Sequence, residues 1–161
     1  MPKLDQAEVA HWAQETLEPF NRDGGENPYT IQMELQDTMQ VNVGIIRTES
    51  EMLTALEKIG ELKERAKKVA VEGHVQYNPG WNLATDLPSL LTVAEAATRH
   101  ALLRKESRGG HTRDDYPKPD YDHWGKVNIR SRQADDGSVV IDEIPLPQMP
   151  AELATLFEEA K

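Results

Sequence analysis

Arg104-Lys105-Glu106-Ser107-Arg108-Gly109-Gly110-His111-Thr112-Arg113-Asp114-Asp115-Tyr116-Pro117 is the stretch on which the reading of this chain turns. Upstream, Leu83 to Leu103 keeps helical spacing; downstream, the period becomes that of strands. A helix that stops at Gly109-Gly110 would place one of those glycines at the C′ position, where a positive φ carries little penalty. Arg104, Lys105 and Arg108 would then occupy its last turns, where cations complement the helix dipole. With Glu106, Asp114 and Asp115 nearby, the cluster neutralises itself and reads first as a capped, solvated helix end. His111, Asp114, Asp115, Asp120 and His123 offer the oxygen and imidazole ligands that divalent metals accept, but their spacing matches no rigid site. Ser107 near His111 invites a nucleophilic pair, without the third, orienting group such a pair needs.

Moving outward from that stretch, the upstream chain reads as helices. Asp5-Gln6-Ala7-Glu8 is an N-cap signal, followed by Val9, Trp12, Ala13, Thr16, Leu17 and Phe20 at helical spacing and a stop at Pro19 and Asn21–Gly25. Asn27-Pro28 restarts the helix. Ile31, Leu35, Thr38, Met39, Asn42 and Ile46 trace one face; Val41, Val43 and Ile45 imply burial on more than one side. Thr48-Glu49-Ser50-Glu51 is a capping box. The stripe that follows it is Leu53, Leu56, Ile59, Leu62, Ala66 and Val69, with charges of both signs between. Asn78-Pro79-Gly80 is a turn signal. The longest helix is then expected from a cap at Thr85 or Asp86, with Leu87, Leu90, Leu91, Ala94, Ala97, Ala101 and Leu102 on its apolar face. Pro88 is tolerated only in its first turn or at a kink. His100, one position from that stripe, reads as a satisfied structural histidine.

Downstream, Lys118 to Trp124 is an extended, proline-containing segment. Lys126 to Arg132 alternates with period two, Asp136-Gly137 is a hairpin turn signal, and Ser138 to Ile144 is the return strand. Residues 151–159 have the spacing of a short terminal helix, with Leu153, Leu156 and Phe157 on one side. The expected architecture is mostly α: an antiparallel three-helix bundle over residues 1–117. Residues 118–161 form a tail with a β-hairpin at about 126–144. An isolated hairpin is marginal in water, so this one must lie on the bundle or on another body.

Composition narrows the function. A formal net charge of −10 argues against nucleic acid, whose binding rests on Lys and Arg contacts with phosphates. The chain has no cysteine, which removes disulfides, thiolate nucleophiles and cysteine-based zinc or iron–sulfur sites. No apolar run approaches the roughly 20 residues of a membrane span, and Met1-Pro2-Lys3-Leu4-Asp5 lacks the apolar core of a signal peptide. A soluble, acidic, cytosolic domain without direct membrane insertion is expected. No phosphate loop, dinucleotide fingerprint, nucleophile elbow or paired-histidine zinc motif is present.

Arg104-x-Glu106-Ser107-Arg108-Gly109-Gly110-His111-x-Arg113-x-Asp115-x-Pro117 closely resembles the R-x-E-S-R-G-A/G-H-x-R-x-D-x-P signature of the succinate dehydrogenase/fumarate reductase flavoprotein family. Met39-Gln40-x-x-Val43-Gly44-Ile45-Ile46-Arg47 is similar to the family's M-x-x-x-V-G-I-x-R helix, and Trp81-Asn82 and Asp120-Tyr121-Asp122-x-Trp124 also fit. In that family the signature lies in a C-terminal helical domain similar to a spectrin repeat. L-aspartate oxidase shares the Glu-Ser-Arg-Gly and helix motifs; the hairpin tail resembles the dehydrogenase/reductase branch more.

The resemblance implies an oxidoreductase of electron transport and the tricarboxylic acid cycle. FAD in the full-length enzyme exchanges hydride with succinate or fumarate, an arginine shuttles the proton, and electrons pass through an iron–sulfur subunit to a membrane quinone. It implies a cytoplasmic location, peripheral to the inner face of the cell membrane through partner subunits. The flavin-binding and capping domains have no counterpart here, and the start at Met1-Pro2 reads as a cut at a domain edge. No catalytic, cofactor-binding or metal residue is therefore assigned to this chain. Arg104, Glu106, Ser107, Arg108, Gly109, Gly110, His111, Arg113, Asp115 and Pro117 are expected instead to form an interface with the flavin domain. Apolar surface on Val127, Ile129, Val139 and Ile141, or on Tyr116, Tyr121 and Trp124, would let the isolated chain pair as a dimer. Two other readings are the corresponding domain of an aspartate oxidase and a stand-alone helical interaction module.

Overall fold

The computed structural model describes residues 4–153. Three long helices form the body: α2 (Pro28–Asn42), α3 (Glu49–Ala66) and α4 (Pro79–Leu103). Ile31 and Leu35 from α2, Ile59 and Leu62 from α3, and Leu83, Leu87, Leu91 and Ala94 from α4 meet in one core, closed at one end by Val69 and Val71. Burying a side chain of this kind contributes about 1.5–3 kcal/mol, so these contacts hold the three helices together.

Each helix begins where its sequence supplies an oxygen for the orphan amides. Asn27 Oδ1 accepts from Tyr29 N at 2.9 Å. Thr48 and Glu51 form the reciprocal capping box. Asn78 Oδ1 accepts from Trp81 N at 3.1 Å, while its Nδ2 donates to the carbonyls of Glu72 and His74. Asn78-Pro79-Gly80 is thus the start of α4, not a turn ahead of a cap at Thr85 or Asp86. It repeats the Asn-Pro logic of Asn27-Pro28. Pro88 consequently lies inside the helix, beyond the first turn.

Two apolar faces differ from expectation. In α3 the buried row is Met52, Ala55, Ile59 and Leu62, while Leu53 is 47% exposed. Both rows step by three and four residues, and the positions of α2 and α4 select between them. α2 ends at Asn42, so Val41 and Ile45, which are 71% and 80% exposed, do not bury a second side. The α1 helix (Gln6–Leu17) is capped by Asp5 as expected but buries none of its residues. It is tethered by Trp81 Nε1, which donates to Thr16 O at 2.7 Å.

Two small sheets complete the fold. β1 (Ile46–Arg47) pairs in parallel with β2 (Thr112–Arg113), with Ile46 opposite Thr112 and Arg47 opposite Arg113. β3 (Val127–Gln133) and β4 (Val139–Pro145) form the antiparallel hairpin, from Val127 opposite Pro145 to Gln133 opposite Val139. Its turn uses Gly137 at φ +83°, and Asp136 Oδ1 accepts from Ser138 N. Val139 and Ile141 lie beside Leu102 and Leu103 at the end of α4, so the hairpin is supported by the bundle. Val127, Ile129, Val139 and Ile141 are half-buried and Trp124 is buried, which leaves Tyr121 as the well-exposed member of the expected apolar patch. Other well-exposed apolar side chains stand elsewhere, at Trp12, Val41, Ile45 and Ile46. Of the expected terminal helix, residues 151–153 are helical; Leu156 and Phe157 lie outside the described residues. No helix among the described residues is long and apolar enough to cross a membrane.

Candidate functional site

The Arg104–Pro117 stretch is not the end of a helix. α4 stops at Leu103, and Arg104 is already extended at φ −77°, ψ 102°. Gly109-Gly110 instead forms the tip of a tight turn: Arg108 N donates to His111 O at 2.8 Å, and His111 N donates back to Arg108 O at 3.2 Å. Gly109 takes φ +62°, the positive-φ position; Gly110 does not. Arg104 and Arg108 therefore do not share a helix face, yet they converge, because the chain reverses between them.

Their meeting point is Glu106, whose side chain is fully buried. Arg104 donates to Glu106 Oε1 from Nε at 2.8 Å and from Nη2 at 2.5 Å. Arg108 Nε reaches the same oxygen at 3.1 Å. Asp120 N donates to Glu106 Oε2 at 2.8 Å. Burial alone would raise the carboxyl pKa; the Asp120 amide and the two guanidinium groups outweigh it and hold the carboxyl below its usual range. Arg108 also donates to Trp124 O at 2.9 Å, which ties the turn to the segment leading into the hairpin.

A second network faces the bundle. Arg113 is fully buried. It donates to Asp115 from Nε at 2.8 Å and from Nη2 at 2.5 Å, and from Nη1 to the carbonyls of Ala101 and Leu102 at 3.2 and 2.8 Å. Those carbonyls belong to the last turn of α4, where helical partners run out. Asp115 Oδ2 in turn accepts from Glu49 N, the first residue of α3, at 3.0 Å. The Arg113 hydrogen bonds hold the Asp115 pKa down to about 2. Ser107 Oγ accepts from Arg113 N and donates to Tyr116 O, both at 2.8 Å. His111 Nε2 donates to Arg104 O at 3.0 Å, and burial pushes its pKa down, so the ring is neutral. Gly109, Gly110 and Pro117 make the turns and carry no polar side chain.

Ser107 Oγ is hydrogen-bonded to the backbone of Arg113 and Tyr116, and among the described residues no hydrogen bond joins it to His111. His111, Asp114, Asp115, Asp120 and His123 do not converge: Asp115 is committed to Arg113, Asp120 Oδ1 accepts from the amides of Asp122 and His123, and His123 pairs with Glu143 at 2.8 Å. Among the described residues no three His, Asp or Glu groups are placed to hold a metal ion. Neither Gly24-Gly25 nor Gly109-Gly110 has the spacing of a dinucleotide fingerprint.

Sequence reading missed two residues here. His100 was expected to be satisfied, but its Nε2 is buried with no hydrogen-bond partner, as is Nε of Arg47. The pairing of β1 with β2 brings Arg47 to the turn. Nothing in the spacing of residues so far apart announces that contact, although Arg47 closes the Met39–Arg47 motif.

The densest charge cluster of this three-helix bundle is hydrogen-bonded to its own side chains and backbone. Residues 32–156 match the family described as fumarate reductase flavoprotein C-term, and the chain belongs to that family: it is the C-terminal domain of a succinate dehydrogenase/fumarate reductase flavoprotein subunit. It is 34% identical to the succinate dehydrogenase flavoprotein subunit of Bacillus subtilis over 68% of this chain and 19% of the relative. It is 37% identical to the fumarate reductase flavoprotein subunit of Helicobacter pylori over 65% of this chain and 15% of the relative. Mycobacterium smegmatis Sdh1 in complex with UQ1 superposes with a TM-score of 0.87 at 41% identity, covering 99% of this chain and 27% of that one. The chain thus spans about a fifth of the length of the curated relatives it matches. Those relatives are flavoprotein oxidoreductases, and this chain corresponds to their C-terminal part.

Proposed function

We propose that this domain serves as the non-catalytic helical brace of a flavoprotein that interconverts succinate and fumarate. In the whole protein FAD, held by flavin-binding and capping domains outside this chain, supplies the hydride chemistry. Electrons then leave through an iron–sulfur subunit to a membrane quinone, at a site peripheral to the cytoplasmic face. The role of residues 104–117 is to dock the bundle against the flavin domain. The tail from residue 118 is a second structural unit secured to the bundle.

The observation that carries this reading is the commitment of Glu106. A fully buried carboxylate shared by two arginines and a backbone amide is held ionised. It cannot serve as an acid or base near neutral pH, but it fixes the shape of the Gly109-Gly110 tip that faces outward. The hairpin, matched within the same family region, favours the dehydrogenase/reductase branch over an aspartate oxidase.

The test uses the intact flavoprotein. Arg108→Ala is expected to lower melting temperature or flavin retention, while the flavin that remains bound turns over succinate at the unaltered rate per flavin. A mutant with unchanged flavin content and melting temperature would remove the bracing role. The 161-residue chain by itself, mixed with FAD and then dialysed against flavin-free buffer, is expected to show no flavin absorbance and no succinate oxidation.

A further inference from the structure

In a chain with a formal net charge of −10, almost every arginine has found a carboxylate. Arg22 pairs with Glu18, Arg65 with Glu26 and Glu34, and Arg99 with Glu95. Arg104 and Arg108 pair with Glu106, Arg113 with Asp115, and Arg130 and Arg132 with Asp142. Arg47 alone has no carboxylate partner among the described residues, and its Nε is buried without a hydrogen bond. A partly buried cation without a counter-ion is a costly arrangement. Its surroundings make matters worse: burial and the neighbouring Arg113 guanidinium both push its pKa down.

Arg47 lines a cleft of about 520 Å³ between the end of α4, the Gly109-Gly110 turn and the hairpin. His100, Arg104, Arg108 and His111 line it too, and no Asp or Glu does. The second unpartnered buried atom, His100 Nε2, belongs to the same wall. Glu106 neutralises only one of the two guanidinium groups it binds, so the cleft carries excess positive charge from Arg104–Arg108 as well as from Arg47. Its remaining wall is mixed: Trp124, Val127, Ile129 and Leu146 are apolar and Asn128 is polar.

We propose that this cleft is a carboxylate-binding site, in which Arg47 and His100 receive an organic carboxylate that the described chain does not supply. The planar guanidinium of Arg47 matches a carboxylate through two parallel hydrogen bonds, and His100 stands on the same wall of the cleft. The apolar side chains on that mixed wall give the carbon skeleton of an organic carboxylate a surface to lie on. The site stands on the cleft itself; the docking role proposed above bears only on where the carboxylate comes from.

The test follows the histidine ring resonances of the 161-residue chain while acetate, succinate, phosphate or chloride is added at constant ionic strength. His100 and His111 are expected to shift saturably with the carboxylates, while His11 and His74, which do not line the cleft, stay still. Equal affinity for acetate and succinate assigns the site to a single side-chain carboxylate of a polypeptide. A preference for succinate of about tenfold or more assigns it to a free dicarboxylate. Arg47→Gln is expected to weaken binding at least about tenfold, and Arg47→Lys, which keeps the charge but loses the fork, by less. Both variants are expected to melt no lower than the parent, because a partly buried cation without a counter-ion contributes no stability. Non-saturable shifts, equal shifts at every histidine, phosphate binding tighter than either carboxylate, or unfolding of both variants would each overturn the assignment.

Discussion

Arg113 and Asp115 join the last turn of α4 to the first turn of α3. Two parallel bonds link the guanidinium to the carboxylate. The free face of each group then satisfies a helix end: Arg113 takes the carbonyls of Ala101 and Leu102, and Asp115 takes the amide of Glu49. Because Arg113 is fully buried, Arg113→Met is expected to lower the unfolding free energy by roughly 3 kcal/mol, the scale of breaking a buried pair. Urea titration measures it; a loss under about 0.5 kcal/mol would show that the two helix ends hold without this link. Arg113→Lys keeps the charge but not the fork, and an intermediate loss is expected.

The same reasoning gives Glu106 a different signature. Removing its charge leaves Arg104 and Arg108 close together with no anion between them. Glu106→Gln is therefore expected to cost about 2–3 kcal/mol, in the range for hydrogen bonds to charged groups. Adding Arg104→Gln to it should cost less than Arg104→Gln does alone, since contacting residues couple. Additive losses in this double-mutant cycle would mean that the three side chains do not act as a unit.

Acid sensitivity follows from the directions of three shifts. His111 in the folded chain lies below its ordinary value of 6.5, so the unfolded chain binds its proton first; the contribution is complete above 6.5 and is lost as the pH falls through the folded value. Glu106 lies below 4.5, and Asp115 falls from 3.8 to about 2. Their contributions are likewise complete above the unfolded values and are lost on further acidification. The urea midpoint is expected to decline modestly from just below pH 6.5 and steeply below about 4.5. His111→Gln should abolish the first decline and leave the second; persistence of the first decline in that variant would assign it to another group.

What could be read in the sequence was whatever is local. The caps at Asp5, Asn27 and Thr48, the Asp136-Gly137 hairpin and the helical face of α2 at Ile31 and Leu35 rest on spacings of a few residues, and each formed as read. What could not be read depends on partners far along the chain. Leu53 and Met52 were equally placed to be buried until α2 and α4 chose between their rows. Arg113 gave no sign that it would reach back to the carbonyls of α4. Charged residues near Gly109-Gly110 resembled a helix end, because arginines and glycines are what both a C-cap and a charged tight turn require. His100 and Arg47 lay outside the site as read, since their shared cleft exists only once β1 meets β2 and the hairpin folds over α4.

The two glycines of the turn separate these alternatives experimentally. A helix C′ position suits either glycine as the positive-φ residue; in the structure only Gly109 has it, at +62°. Neither position would place a Cβ within 4 Å of another group, so contact does not distinguish them and backbone conformation alone does. Gly109→Ala forces a side chain into the left-handed region and is expected to cost about 1–2 kcal/mol. Gly110→Ala has no such penalty and restricts the unfolded chain; it is expected to be neutral or to stabilise by about 0.4–1 kcal/mol. Thermal and urea melts of the two single variants give the comparison directly. Equal losses at both positions would place the strain outside φ at Gly109, and a larger loss at Gly110 would reverse the assignment of the turn.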